Sequence, residues 1–269
     1  MSFLDHLEAL RWHLIRATLA IVVAGLAAFL AKGFIFDVLL FGPTNADFFT
    51  YDFLCRITSK VGLAGDGGFC FDEMPFTIQS RTMGGQFSAH VWTSITAGFI
   101  ISFPYVIYEF WKFVSPALYE NERNTARGFI VISSLLFFTG VLFGYYVLTP
   151  LSINFLGKYQ VSDVVLNEFD IGSYISLVRS SVIASGLIFE LPIIIFFLTK
   201  IGLVTPARLR KYRKISLVVV LIISAVITPP DILSQIIVAI PVLVLYEISI
   251  LISKVVVRRE ERKMKKQQS

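Results

Sequence analysis

The sequence predicts an all-α integral membrane protein with six transmembrane helices, and three observations carry that expectation. The 269 residues are 55% hydrophobic with a mean hydropathy of +0.74, above the roughly 45–50% apolar content of soluble domains. The apolar residues gather into six runs, at 14–31, 91–110, 129–148, 174–199, 215–228 and 232–252. Runs of about 20 apolar residues match a hydrocarbon layer of about 30 Å at 1.5 Å per helical residue. The basic residues flank these runs, so the net charge of +5 and pI near 9.2 point to membrane anchoring and away from nucleic acid.

An even number of spans puts both termini on one side. The segments sharing that side are the N-terminus, 111–127, 200–214 and the tail from 254. They hold 18 of the 24 Lys and Arg residues, which assigns them to the cytoplasm. The opposite loops are acidic, with Asp47, Asp52, Asp66, Asp72, Glu73, Asp163, Glu168 and Asp170. Residues 1–257 form one membrane domain, with 32–90 as its long outer loop. Residues 258–269 read as a basic cytoplasmic tail, solvated and partly disordered.

Phe3, Leu7, Leu10 and Leu14 make one apolar face, predicting a short interfacial helix over 3–13 that leads into the first span. Its two acids differ from a basic signal-peptide start, so the first run is expected to be retained. In 32–90, Gly42-Pro43, Asn45 to Asp47 and Gly62 to Gly68 predict turns. Cys55 and Cys70 lie there. In an oxidising exterior a disulfide between them would contribute about 3 kcal/mol in the chain-entropy model, and two free thiols is the other possibility. Gly65-Asp-Gly67-Gly68 is no phosphate loop, since no Gly-Lys-Ser/Thr follows.

The second run ends in Pro104 and the aromatics Tyr105, Tyr108, Phe110, Trp111 and Phe113, expected as an interface belt. Glu120 and Glu122 follow as acids on the basic side. They suit either a solvated loop or a surface that grips guanidinium groups bidentately. In the third run Gly140 and Gly144 permit close helix contact, and Thr149-Pro150 is expected to end the helix. Leu151, Phe155 and Leu156 then suggest an amphipathic turn on the membrane.

The fourth run contains one carboxylate, Glu190, which costs at least about 2.5 kcal/mol to insert and so must face protein, water or a partner. Pro192 cannot donate its N–H to the Ile188 carbonyl, so the helix should bend there. Glu190 is either functional or a structural acid bonded to another helix. Thr205 and Pro206 read as N-cap and first residue of a helix. Arg208, Arg210, Lys211, Arg213 and Lys214 then anchor the chain on an anionic leaflet. The fifth run spans only about 21 Å, so the membrane beside it thins or its polar groups meet water or a partner. Thr228-Pro229-Pro230-Asp231 forces a corner, and Asp231 and Gln235 share a helix face at its tip.

Two other functions fit fewer of these residues. A proton-coupled secondary transporter could use Glu190, Glu247 and Asp231 as a relay, but the acids are sparse and no internal repeat is evident. An intramembrane enzyme lacks support: His6, His13 and His90 lie at or outside the span ends, and neither H-E-x-x-H nor G-x-S-x-G occurs. No cofactor or metal is suggested, and no nucleotide motif encodes an energy source.

Four ordered motifs complete the picture: His6-Leu-x-x-Leu-Arg11, Phe113-x-x-Pro116-Ala-Leu-Tyr119-x-x-Glu122-Arg123, Ser185-Gly-x-x-Phe189-Glu190-x-Pro192 and Thr228-Pro-Pro-Asp231-x-x-Ser-Gln235. With Ala239-Ile-Pro241 and Tyr246-Glu247-Ile behind them, the chain resembles the TatC family, the receptor subunit of the twin-arginine translocase. The resemblance implies a curved, glove-like bundle in a bacterial inner membrane, with both termini cytoplasmic. It also implies recognition of Arg-Arg signal peptides on folded cargo, assembly with TatA- and TatB-type single-span subunits, homo-oligomers within the complex, and export driven by the proton-motive force. By the same resemblance Glu122 pairs with the signal arginines, amid Phe113, Pro116, Leu118 and Tyr119, with Glu8 and Arg11 contributing. Glu190, Gln235 and Asp231 dock partner helices. The family's usual Glu before Leu-Arg is Ala9 here, with Glu8 one residue earlier. The cysteine-bearing insertion at 45–85 has no counterpart in the family pattern.

Overall fold

Local breakers decide where the helices of this chain stop, and several helices run further than the apolar pattern predicts. The computed structural model describes residues 3–60, 74, 76–114, 125–162, 164–227 and 232–267. Helix α1 (Phe3–Leu30) is continuous. The expected interfacial helix and first span are therefore one rod, because no Gly or Pro interrupts residues 3–24. Of the predicted apolar face, Leu7 and Leu14 are exposed, at 46% and 57%, and Leu10 is half-buried.

A π-helical stretch Phe34–Leu40, a tight turn Gly42–Thr44 and α2 (Phe49–Lys60) follow. In α2, Tyr51 is buried and its hydroxyl donates to the Pro43 carbonyl at 3.1 Å, while burial pushes its phenol well above the ordinary value. Cys55 is disulfide-bonded, and the chain's other cysteine, Cys70, lies outside the described residues. Strand β1 (Thr77–Gln79) leads to α3 (Gly85–Val114), which starts six residues ahead of the expected 91.

Helix α4 (Thr125–Phe143) passes through a π-helical turn, Gly144–Leu148, into α5 (Thr149–Lys158). The stop expected at Thr149-Pro150 does not occur. Pro150 sits in the first turn of α5, where a missing N–H costs least. The Tyr146 carbonyl four residues back accepts the Thr50 hydroxyl instead, and Thr149 Oγ1 donates to the Gly144 carbonyl at 2.9 Å. Leu151 is buried and Phe155 and Leu156 are half-buried, so the expected turn on the membrane packs against protein.

Strand β2 (Glu168–Asp170) pairs in parallel with β1, Thr77 opposite Glu168 and Gln79 opposite Asp170. Runs of three residues are too short to show the alternation that marks a strand. Asp170 then caps α6 (Ile171–Phe189), accepting from Gly172 N at 2.9 Å and from Arg81 N at 3.2 Å. The backbone N–H groups of Arg81 first and Gly172 second hold its carboxyl below the ordinary value. A lowered pKa means stabilisation that is complete above the unfolded value and lost as pH falls through the folded one. Asp170→Ala is therefore expected to lower amide protection at Arg81 and Gly172 at neutral pH. The difference from wild type should vanish as Asp170 is protonated, and a gap constant with pH would show that the carboxylate charge is irrelevant.

Helices α7 (Leu191–Lys200), α8 (Pro206–Lys211), α9 (Arg213–Ile227) and α10 (Ile232–Gln267) complete the chain. Thr205 caps α8 by accepting from Arg208 N, with Pro206 at N1, as its sequence predicts. The basic tail is helical to Gln267, contrary to the expected disorder. Residues 254–267 hold no Gly or Pro and are rich in Lys and Arg, with two Glu and one Met, all of which favour helix. Among the described residues five stretches are long and apolar enough to cross a membrane: Leu7–Leu30, Gly85–Val114, Gly128–Lys158, Ile171–Lys200 and Gln235–Arg259. Helix α9, with 15 residues, is not among them, in line with the short fifth run.

Helix α1 lies along α3, α4 against α6, and α10 against α7 and α9. Ile175, Val178 and Val182 of α6 join Ala28 and Ala89 in the main core. The α4–α6 contact uses the Gly140/Gly144 pair: a Cβ at Gly140 would lie 2.5 Å from the Ser185 carbonyl, and one at Gly144 2.7 Å from that of Ser181. The expected aromatic belt divides. Tyr105, Tyr108 and Phe110 are exposed, whereas Trp111 is buried, stacked on Phe129 of α4 at 4.5 Å and near Phe197 of α7.

Candidate functional site: buried acids at the helix junctions

Three polar positions stand out in the bundle. The first is Glu190, which occupies the single-residue break between α6 and α7. Pro192 is fully buried in the first turn of α7, and both Ile193 N and Ile194 N bond the Glu190 carbonyl, so the interruption predicted from Pro192 is centred on the acid itself. Glu190 is 6% exposed. Ser133 of α4 donates to its Oε2 at 2.8 Å, while its Oε1 has no partner. One oxygen thus ties two helices together. The other is a buried group with unused hydrogen-bonding capacity, a state that costs about 1–3 kcal/mol until a partner is supplied.

The second position is Glu109, which none of the sequence motifs contains. It is 2% exposed near the end of α3, with His13 Nδ1 of α1 at 2.6 Å from Oε2. The Tyr105 hydroxyl also bonds this carboxyl, and Lys112 lies close enough to act on it electrostatically. The His13 ring packs edge-on to Phe113 at 6.3 Å. The clue in the sequence was an acid between Tyr108 and Phe110 inside an apolar run. Its partner, 96 positions away, depends on how α1 and α3 are registered.

The third is Gln235 of α10, whose side-chain amide donates to the Leu221 carbonyl of α9 at 3.1 Å and so ties the short hairpin. Asp231, expected on the same face, lies outside the described residues. Glu247 pairs with Arg213 at 2.7 Å, so Glu190 and Glu247, two members of the relay considered above, are held by different partners.

The TatC model, described as Sec-independent protein translocase protein, matches residues 5–241. The chain belongs to the TatC family. Over 253 residues it is 44% identical to the Sec-independent protein translocase protein TatC of Blattabacterium sp. subsp. Periplaneta americana (strain BPLAN), covering 94% of this chain and 95% of that one. It is 35% identical to TatCy of Bacillus subtilis (strain 168), covering 97% and 92%. A crystal structure of the twin-arginine translocase receptor TatC superposes with a TM-score of 0.67 at 30% identity, covering 94% of this chain and 99% of that one. This TatC-family chain is thus a multi-pass membrane component of a protein translocase, a transport protein and not an enzyme.

The family's expected recognition residues fall unevenly on the TatC-family fold. Glu8 and Arg11 are exposed on the first turns of α1, and Phe113 is half-buried beside His13. Pro116, Leu118, Tyr119 and Glu122 lie outside the described residues. Glu190 and Gln235 are in the second half of the fold, each anchored to a neighbouring helix.

Proposed function

We propose that this chain is the receptor subunit that binds Arg-Arg signal peptides at a cytoplasmic surface formed by the start of α1 and the 115–124 segment. The His13–Glu109 contact carries this assignment. It pins α1 beside the end of α3, from which the chain enters the segment bearing Glu122. Glu8 and Arg11 sit within two helical turns of that pin, about 8 Å or less along the axis. Two carboxylates, Glu8 and Glu122, then serve the signal arginines through charge-assisted bonds, with Phe113, Pro116, Leu118 and Tyr119 forming the surrounding surface. Exposed Glu8 is available for this role although it stands one residue from the family's usual position.

Glu190, Gln235 and Asp231 serve the assembly step, receiving TatA- and TatB-type single-span helices, and further copies of this chain join the working complex. The unpartnered Glu190 Oε1 supports a polar contact with such a helix. Both termini face the cytoplasm of a bacterial inner membrane, and the proton-motive force drives export.

Photocrosslinking from position 122 to a twin-arginine precursor tests the assignment. Wild type is expected to capture an Arg-Arg precursor and to miss a Lys-Lys one. Peptide affinity should fall about tenfold or more in Glu122→Ala, whereas Glu190→Ala should keep signal binding and lose transport of folded cargo. Equal capture of both precursors by position 122 would sink the receptor assignment.

A further inference from the structure

A groove of about 510 Å³ opens between α1, α3, the π-helical turn after α4, and α6, within the roughly 300–1,000 Å³ range of sites that take a small ligand. Its walls are apolar, Ala97, Ile101, Leu142 and Val178 among them. Ile101 and Leu142 are more than half exposed at its rim. Thr93 and Arg179 are among the polar residues that interrupt this lining. Thr93 is 7% exposed, and its hydroxyl has no hydrogen-bond partner. Arg179 of α6 holds its guanidinium 5.3 Å from the Trp92 ring centroid. No carboxylate among the described residues pairs with Arg179. Arg179 is eight residues into α6 from the end bearing β1 and β2, about 12 Å along the axis.

An arginine inside a span is costly unless it reaches the interface or meets an anion. Here the long side chain can snorkel toward the near interface, and the indole face holds the guanidinium in place. The remaining guanidinium N–H donors match the two free oxygens of a phosphodiester, and the apolar trough beneath matches an alkyl chain. We propose that this groove is a binding site for one membrane phospholipid, with its phosphate on Arg179, its glycerol region beside Thr93 and one acyl chain between Ala97 and Leu142. The occupant is a lipid and not an apolar helix because Arg179, the cation of the groove, pairs with no carboxylate among the described residues. An uncharged helix would leave that cation unmatched. Glu190 is not among the lining residues, and the site does not depend on the receptor assignment.

Native mass spectrometry of the full-length protein in detergent, supplied with phosphatidylglycerol or with diacylglycerol, tests this. Wild type is expected to retain one phosphatidylglycerol and no diacylglycerol. Retention should fall about tenfold in Arg179→Gln and less in Arg179→Lys, the change expected for one charge-assisted contact. Ala97→Trp, which fills the trough and spares the guanidinium, should also lose the lipid. Equal retention by Arg179→Gln, equal retention of diacylglycerol, or undiminished retention by Ala97→Trp overturns the proposal. A photocrosslinker at position 97 in native membranes is expected to capture lipid. Capture of a polypeptide in its place would assign the groove to a partner helix and overturn the lipid site.

Discussion

Gly98→Ala is expected to separate α1 from α3 and to destabilise the protein by about 3 kcal/mol or more. A Cβ at position 98 would lie 2.6 Å from Gly25 N, 2.6 Å from the Ile21 carbonyl oxygen and 2.7 Å from Gly25 Cα. All three atoms belong to the α1 backbone, so no side chain can rotate aside, and the two helix axes must move apart along their full contact. Overpacking typically costs about 1–3 kcal/mol where side chains can adjust, and this site stands at the upper end because they cannot. Gly128→Ala is the control. Nothing lies within 4 Å of its added Cβ, and Ala is better than Gly within a helix by about 0.8–1 kcal/mol. Thermal unfolding in detergent should show a large loss for the first variant and no loss for the second. Comparable melting of Gly98→Ala and wild type would mean that the two helices are not in tight contact.

His13→Ala is expected to be nearly as damaging, for an electrostatic reason. The substitution strips the Glu109 carboxylate, 2% exposed in the wild-type structure, of its closest hydrogen-bond partner, 2.6 Å away. Leaving a buried polar group without its partner typically costs about 1–3 kcal/mol, and more for a charged group such as this carboxylate. The Tyr105 hydroxyl remains and offsets part of that loss. Because the damage comes from the charge left behind, adding Glu109→Gln to His13→Ala should restore much of the stability. A double-mutant cycle read by thermal unfolding measures this coupling, expected in the range of about 0.5–3 kcal/mol. Strict additivity of the two substitutions would show that the pair does not act as a unit.

The two glycine contacts differ in how far they could be read in advance. Gly140 and Gly144 are four residues apart on one helix, and that spacing announces a close-packing face. Gly25 and Gly98 lie on different helices, and neither has a matching glycine one turn away to mark a face. Their meeting follows from the register of α1 on α3 alone. Glu190 was conspicuous because insertion of an acid into lipid has a cost that composition reveals. Glu109 was concealed because it stands near a span end among aromatics, where acids ordinarily reach water.

The stops at helix ends show the same division. Pro192 and the break beside it, the Thr205-Pro206 start of α8 and the shortness of α9 are local properties, legible in a few consecutive residues. Pro150 carries the same local signal and yet no helix ends there, because Thr50, 96 positions before Tyr146, supplies the Tyr146 carbonyl with the hydrogen bond that Pro150 cannot. The sequence by itself determined the membrane class, the apolar runs, the acid at position 190 and, through its ordered motifs, the TatC family. All of these rest on hydropathy, insertion cost and residue spacing along one segment. Tertiary structure alone decided that Glu109 meets His13, that Ser133 satisfies one oxygen of Glu190, and that Arg179 lines a largely apolar groove. The physical reason is that a side chain's partner is set by how separate helices rotate and slide against one another, and the pattern within any single helix does not record that.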